Sequence, residues 1–314
     1  MALTKLKALG TNSNSRAELN DIYGPTIYDS IKHENGLYSI LPTVKVDGDR
    51  MGFRVKTAVN PTADSYEELD VIATGNTTRQ RHYFPIKLVK VAVEVSGLMK
   101  EAAKGPGGVG NIWAEELKDA TLDLADELDK QVVGAAVPTT SNDISGLQYL
   151  IDDGNTYTTY GDVTDRTATG YEWAAANIND TAEDLSLSRM RTMIRTCVED
   201  GAKRNNLFFA TADTQVDKFK NLIQNLQRTV PTSSRVGFEG VPSLDGIPIM
   251  SDLNIASGEL YCLDRSTLKL GVLKPPTIIN LPEPKDAEAA AIVTYQQLIC
   301  TMPKVNYKKT ALTT

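Results

Sequence analysis

Between Asn111 and Gly134 apolar residues return at helical intervals. Trp113, Leu117, Ala120, Leu124, Leu128 and Val132 follow one another at steps of 4, 3, 4, 4 and 4, which sets them on one stripe of an α-helix. The spacing predicts one helix here, roughly 35 Å long at about 1.5 Å per residue, stopped by Gly134 and Pro138. The other face is acidic. Glu115, Glu116, Asp119, Asp123, Asp126, Glu127 and Asp129 stand against only Lys118 and Lys130. Glu115 and Glu116 fall in the first turns, where the helix dipole favours anions.

Upstream the pattern changes to strands. Leu37 to Val46 is β-rich, Asp47-Gly48-Asp49 reads as a turn, and Met51 to Val59 alternates in places. A polar stretch, Asn60 to Arg81, follows, with Tyr66, Leu69, Val71 and Ile72 as its large apolar residues. A strand returns over His82 to Ser96. The expected form is a long two-stranded excursion with a polar tip. A loop of about 20 residues without its own core is uncommon inside a compact domain, so support from another subunit is expected. Residues 1–36 read as a short basic arm.

Downstream, helices are expected over Leu187 to Asp200 and Thr214 to Leu226. Leu187, Met190, Ile194 and Cys197 face inward on the first, with Ser186 as N-cap and Gly201 as stop. Val216, Phe219, Ile223 and Leu226 face inward on the second. Strands are expected at Leu207 to Ala210, Asp245 to Ser251, Tyr261 to Leu263, Leu268 to Val272, Ala290 to Cys300 and Val305 to Lys308. A short helix is expected at Gly97 to Lys104. The alternation of types points to an α+β or α/β layer.

Composition adds limits. The chain has 314 residues, a net charge of −7 and 41% hydrophobic residues, ordinary for a folded protein and unsuited to general polyanion binding. No apolar run approaches the roughly 18 residues of a membrane span, and the lysine-interrupted N-terminus is no signal peptide. A soluble protein made in the cytoplasm is expected. Cys197, Cys262 and Cys300 are odd in number and far apart, which argues against zinc or a disulfide framework.

Chemistry is sparse. Gly105-Pro106-Gly107-Gly108-Val109-Gly110 matches GxGxxG formally and precedes a helix. As a phosphate loop it fails, because Asn111 and Ile112 stand where a lysine and a Ser/Thr are needed. Glu115 and Glu116 would also repel phosphate, so a hinge is the expected role and a nucleotide-binding enzyme the minor alternative. Asp152-Asp153-Gly154-Asn155 reads as a turn, not a calcium loop. His33 and His82 have no nucleophile elbow beside them. No catalytic residue, metal or cofactor is expected. Arg79, Arg81, Lys87 and Lys90 form a basic cluster around the excursion that could complement the acidic helix of another copy.

The order of these features resembles the Hong Kong 97-type major capsid proteins of tailed phages and related viruses, from about Leu37 to Tyr307. Carrying the resemblance are the arm, the excursion, the long helix, Ser145-Gly-Leu-Gln-Tyr-Leu-Ile-Asp-Asp-Gly154 with Tyr171-Glu-Trp173, the Leu187–Leu226 helices, Asp245-Gly-Ile-Pro-Ile-Met250 and the closing strand Tyr295 to Val305. The resemblance implies an α+β fold with an N-terminal arm (1–36), an E-loop hairpin (about 50–90), a spine helix (112–134), an axial domain with part of the peripheral domain (137–285) and closing peripheral strands (286–314). It implies self-assembly into hexamers and pentamers of an icosahedral shell around double-stranded DNA, in a virion assembled in the host cytoplasm. Portal and scaffolding proteins would be partners, the latter separate if present at all, since the chain begins almost at the arm. DNA would be enclosed without sequence-specific binding and no membrane would be involved. Encapsulin nanocompartments share the fold and are the alternative. Lys56 and Asn60 lie near the family's crosslinking region without matching its chemistry. Candidate inter-subunit contacts are Lys56, Arg79, Arg81 and His82 on the excursion and Glu115, Glu116, Asp119 and Asp123 on the helix.

Overall fold

A computed structural model describes residues 36–103, 112–227, 242–282 and 285–313. The arm and the glycine motif at 105–110 therefore lie outside the described residues, apart from Gly36. The chain divides into two compact units. Residues 89–127 and 274–294 belong to one; residues 34–88, 128–273 and 295–314 belong to the other.

In the first unit, β4 (Lys87–Ser96) leads through α1 (Gly97–Ala103) toward residues 112–127 of α2 (Ile112–Val133), whose last turns, from Leu128 on, belong to the second unit. The second half of β10 (Leu268–Leu281) and the first half of β11 (Ala287–Cys300) belong here too. Val89, Val93 and Val95 are buried on alternate positions of β4, and Ala289 to Ile292 are buried on β11. On α2, Ala120, Leu124, Leu128 and Val132 are buried as the spacing predicts, while Trp113 and Leu117 are only half-buried. Asp129 departs from the predicted acidic face: it is fully buried.

The second unit is built on a six-stranded sheet of order β5-β12-β9-β6-β8-β7. Its strands are β5 (Asn177–Asn179), β6 (Leu207–Thr211), β7 (Ser243–Leu244), β8 (Ile247–Ser251), β9 (Leu260–Asp264) and β12 (Tyr307–Lys309). Two amphipathic helices pack on it, α4 (Leu187–Glu199) and α5 (Asp213–Gln227), with a short α3 (Leu147–Leu150) earlier in the chain. Met190, Met193, Ile194 and Cys197 of α4 meet Phe209, Cys262 and Tyr307 of the sheet and Val216 and Phe219 of α5 in one core. Ser186 caps α4, its hydroxyl accepting from the Arg189 N–H at 3.3 Å. Asp245 and Gly246 both take positive φ, 52° and 83°, the geometry of a tight two-residue hairpin turn. Cys197, Cys262 and Cys300 are all free and buried.

Three strand expectations fail. Of Val305 to Lys308, Val305 lies in a 3-10 turn over Pro303–Val305 and only β12 (Tyr307–Lys309) is strand. Most of Leu37 to Val46 is not strand. Only β1 (Thr43–Lys45) is, and it pairs in parallel with β10. His82 to Ser96 is not one strand. It breaks at Ile86 into β3 (Thr78–Pro85) and β4, which join different sheets. Pro85 is the reason: proline has no N–H for a ladder. The excursion is thus β3 with β2 (Arg50–Ala58), a two-stranded antiparallel ribbon of their own.

Candidate assembly surfaces

The β2–β3 ribbon is two-sided because strand side chains alternate. Met51, Phe53 and Val55 on β2 and His82 and Phe84 on β3 point to one buried face. This face is anchored on the loop between α3 and β5. Phe53 meets Trp173 edge-on at 5.8 Å, and Phe84 meets Tyr160 edge-on at 5.2 Å. Gly161 closes against the ribbon with φ 59°, and a Cβ there would stand 2.8 Å from the Phe84 ring. Only glycine fits both constraints. The loop itself is held by Arg166, which is fully buried. Its guanidinium donates to the carbonyls of Asp152 (3.0 Å), Tyr149 (3.1 Å) and Thr159 (2.6 Å). It also lies 5.3 Å and 5.0 Å from the Tyr149 and Tyr160 ring centres.

His82 belongs to this anchor. It is 6% exposed, lies tilted against the Trp173 ring at 5.0 Å and hydrogen-bonds Asp162 through Nδ1 at 3.1 Å. Its expected role as an inter-subunit contact is therefore corrected: its partners are in its own subunit, because it falls on the inward register of β3.

The opposite face carries Arg50, Arg54, Lys56, Arg79 and Arg81, all exposed. Register sets Arg54 directly across from Arg81 and Lys56 across from Arg79. Like charges directly opposite destabilise a ribbon. Arg54, Lys56 and Arg79 form no ion pair among the described residues, and Arg81 has only the ring of Tyr83 at 5.8 Å. Arg50 and Arg54 escaped the sequence reading, although the two-residue period back from Lys56 would have found them. Lys87 leaves the cluster: its ammonium donates to the carbonyls of Pro138 and Ser141 at 2.8 and 2.6 Å. Burial draws its pKa below the usual lysine value. Lys90 is exposed on β4, in a different sheet.

At the far end of the ribbon, residues 59–77 are almost wholly exposed. Asn60 cinches this tip, its Nδ2 donating to the Gly75 carbonyl at 2.8 Å while Oδ1 accepts from Thr62. Val59, Tyr66, Leu69, Val71 and Ile72 all face outward, Leu69 and Val71 at 98% and 94% exposure. Five large apolar side chains left exposed within one 19-residue tip are the kind of surface that interaction sites use.

On α2 the exposed acids are Asp119, Asp123 and Glu127, with the half-buried Glu116 three positions before them on the same stripe. Burial first, and then repulsion from Asp119 and Asp123, raises the Glu116 carboxyl above its usual value. Glu115 is half-buried too, with Oε2 enclosed, and falls outside the 3-4-4 spacing of this stripe. Among the described residues no cluster of His, Cys, Asp and Glu could hold a metal ion, and no helix is long and apolar enough to cross a membrane.

The structure is similar to solved capsid subunits. It matches the capsid asymmetric unit of cyanophage A-1(L) with a TM-score of 0.74 at 15% identity, over 92% of this chain and 96% of that one. It matches the capsid of a native GTA particle with a TM-score of 0.69 at 12% identity, over 97% and 100%. It also matches the SrpI encapsulin of Synechococcus elongatus, less well, with a TM-score of 0.58 at 11% identity over 96% and 95%. The shared architecture is the Hong Kong 97-type fold, mixed helix and sheet. No curated protein matches the sequence. The family model of the SU10 major capsid protein matches residues 23–308. The chain therefore belongs to the SU10 major capsid protein family, and is a major capsid protein of a phage-type shell.

Proposed function

We propose that copies of this chain tile an icosahedral shell as hexamers and pentamers around double-stranded DNA, each laying its β2–β3 ribbon on a neighbour. The ribbon is the E-loop of this reading and α2 its spine helix. The arm is residues 1–36, the peripheral domain draws on 37–136 and 286–314, and the axial domain lies within 137–285. The observation that carries the reading is the two-sidedness of the ribbon. One face is locked to its own subunit by Phe53, His82 and Phe84. The other presents unrelieved cations, and the tip presents unpartnered apolar side chains. Repeated contacts of this kind suit a closed symmetric assembly. Portal and scaffolding proteins are the partners that initiate and shape the shell in the host cytoplasm. DNA is enclosed without sequence reading, and the role is structural, not enzymatic.

Light scattering and negative-stain microscopy on the purified chain test this. Closed shells, or rings of five or six, are the expected result. A 34.2 kDa monomer under every condition, with scaffold co-expressed, would overturn it. Co-purifying cargo enzyme in place of nuclease-protected DNA would move the assignment to an encapsulin-type compartment.

The charged faces make a sharper test. Ribbon cations Arg54, Lys56, Arg79 and Arg81 and helix acids Glu116, Asp119 and Asp123 are each self-repulsive and opposite in sign. On this reading they meet between copies. Lys56→Glu with Arg79→Glu should weaken assembly roughly tenfold in critical concentration, since exposed pairs contribute about 0.2–1 kcal/mol each. Adding Asp119→Lys and Asp123→Lys to the same chain should recover it. Failure of the four-fold variant to assemble better than the double one removes this pairing.

A further inference from the structure

We propose that Asp129 and Asp252 form a carboxyl–carboxylate pair that holds a single proton and acts as a pH-dependent latch where the N-terminal segment joins the fold. Asp129 sits near the end of α2 and Asp252 just after β8. Their side chains are 0% and 3% exposed as whole residues. Together they grip two consecutive amides. The Leu37 N–H donates to Asp252 Oδ2 at 2.7 Å, and the Tyr38 N–H donates to Asp129 Oδ1 at 2.9 Å. Asn254 ties the two acids together, its Nδ2 donating to Asp129 Oδ2 at 2.7 Å and its backbone N–H to Asp252 Oδ1 at 2.8 Å. Gly36 leaves no room for anything larger, because a Cβ there would lie 2.7 Å from Asp252 Oδ2.

Among the described residues the surroundings supply dipoles and no counter-charge. Tyr38 faces the pair from the entering segment, and its phenol donates to Gln296 Oε1 of β11 at 3.0 Å. Lys130, next to Asp129 on α2, is exposed. No lysine, arginine or histidine ion-pairs with either carboxylate among the described residues. Lys32, His33 and Glu34 precede Gly36 in the chain and lie outside those residues. Two buried carboxylates side by side cannot both carry charge cheaply, so one retains its proton.

Burial raises the Asp129 carboxyl to about 6, with the Asp252 charge adding to the rise and the hydrogen bonds from Tyr38 and Asn254 holding it back. An unfolded aspartate titrates near 3.9. The folded value is the higher one, so the latch is tightest below pH 4. Its contribution drains away as pH climbs toward 6 and is flat above. Opening exposes Asp129 to water, where an aspartate titrates near 3.9, so opening should become roughly tenfold easier between pH 5 and pH 7.5.

Hydrogen exchange of the intact chain reads this directly. After correction for the intrinsic pH dependence of amide exchange, protection over residues 36–41 should fall roughly tenfold from pH 5 to pH 7.5, while β6 stays constant. Asp129→Asn, which cannot titrate, should flatten the profile whatever its absolute level, and Asp252→Asn, which removes the neighbouring charge but leaves Asp129 buried, should shrink the change without abolishing it. A wild-type profile that is flat over residues 36–41 overturns the latch. So does a variant that keeps the tenfold change. A profile that shifts with a chelator would assign the site to a bound cation and overturn the shared proton.

Discussion

A chain whose ribbon tip, residues 59–77, is replaced by an Asn-Gly turn should fold normally and fail to form shells. Ala58 and Thr78 are already cross-strand partners, and Asn-Gly supplies the two positive-φ positions of a short hairpin turn. The shortened ribbon therefore keeps its register and its anchor on Trp173 and Tyr160. The subunit also loses nothing from its core, because Val59, Tyr66, Leu69, Val71 and Ile72 touch no core in the monomer. What disappears is apolar surface available to a neighbour. Fully burying side chains of this size is worth about 1.5–3 kcal/mol each, so five of them outweigh the exposed charge pairs several-fold even after the cost of ordering the tip. Assembly should fall below detection by light scattering while circular dichroism and the thermal midpoint hold. Shells of normal size from the shortened chain would show that the tip is not the contact.

The largest loss of subunit stability should follow from Arg166→Met. Two effects oppose each other. Removing a buried cation relieves a desolvation cost of several kcal/mol. Against that, the buried Tyr149 carbonyl and the part-buried Thr159 carbonyl lose their donor at about 1–3 kcal/mol each, the Asp152 carbonyl is left with the Ala176 N–H alone, and two ring contacts vanish with the charge. The unsatisfied carbonyls win, with a net loss of about 3–5 kcal/mol in denaturant unfolding. Arg166→Lys should be nearly as damaging, since a single ammonium cannot replace the guanidinium fork. A loss under about 1 kcal/mol would show that the loop stands without it. The consequence reaches assembly, because this loop carries Tyr160 and Trp173, on which the ribbon rests.

The elements themselves were legible along the chain wherever burial repeats locally. The stripe of α2, the inward faces of α4 and α5, the Ser186 cap and the Asp245-Gly246 turn each follow from neighbours a few residues apart. The ribbon was legible too, through the partial alternation of Met51 to Val59 and its polar tip, and the order arm, ribbon, long helix carried the capsid resemblance. Its basic face was half legible: Arg79, Arg81 and Lys56 stood out, and Arg50 and Arg54 follow from the same period.

What the tertiary structure alone decided is which face each residue joins and which distant residues meet. His82 looked like an edge residue and is an anchor, because β3 ends at Pro85 and its register turns His82 toward Trp173, far along the chain. Lys87 looked like part of a cationic patch and instead holds the carbonyls of Pro138 and Ser141. Asp129 looked like one more acid on a solvated helix face and lies fully buried against Asp252, with Leu37 and Tyr38 bonded to the two. Periodicity reports the side of an element that avoids water, since that preference repeats every few residues. It is silent on partners separated by about fifty residues or more, whose meeting depends on how the whole chain closes.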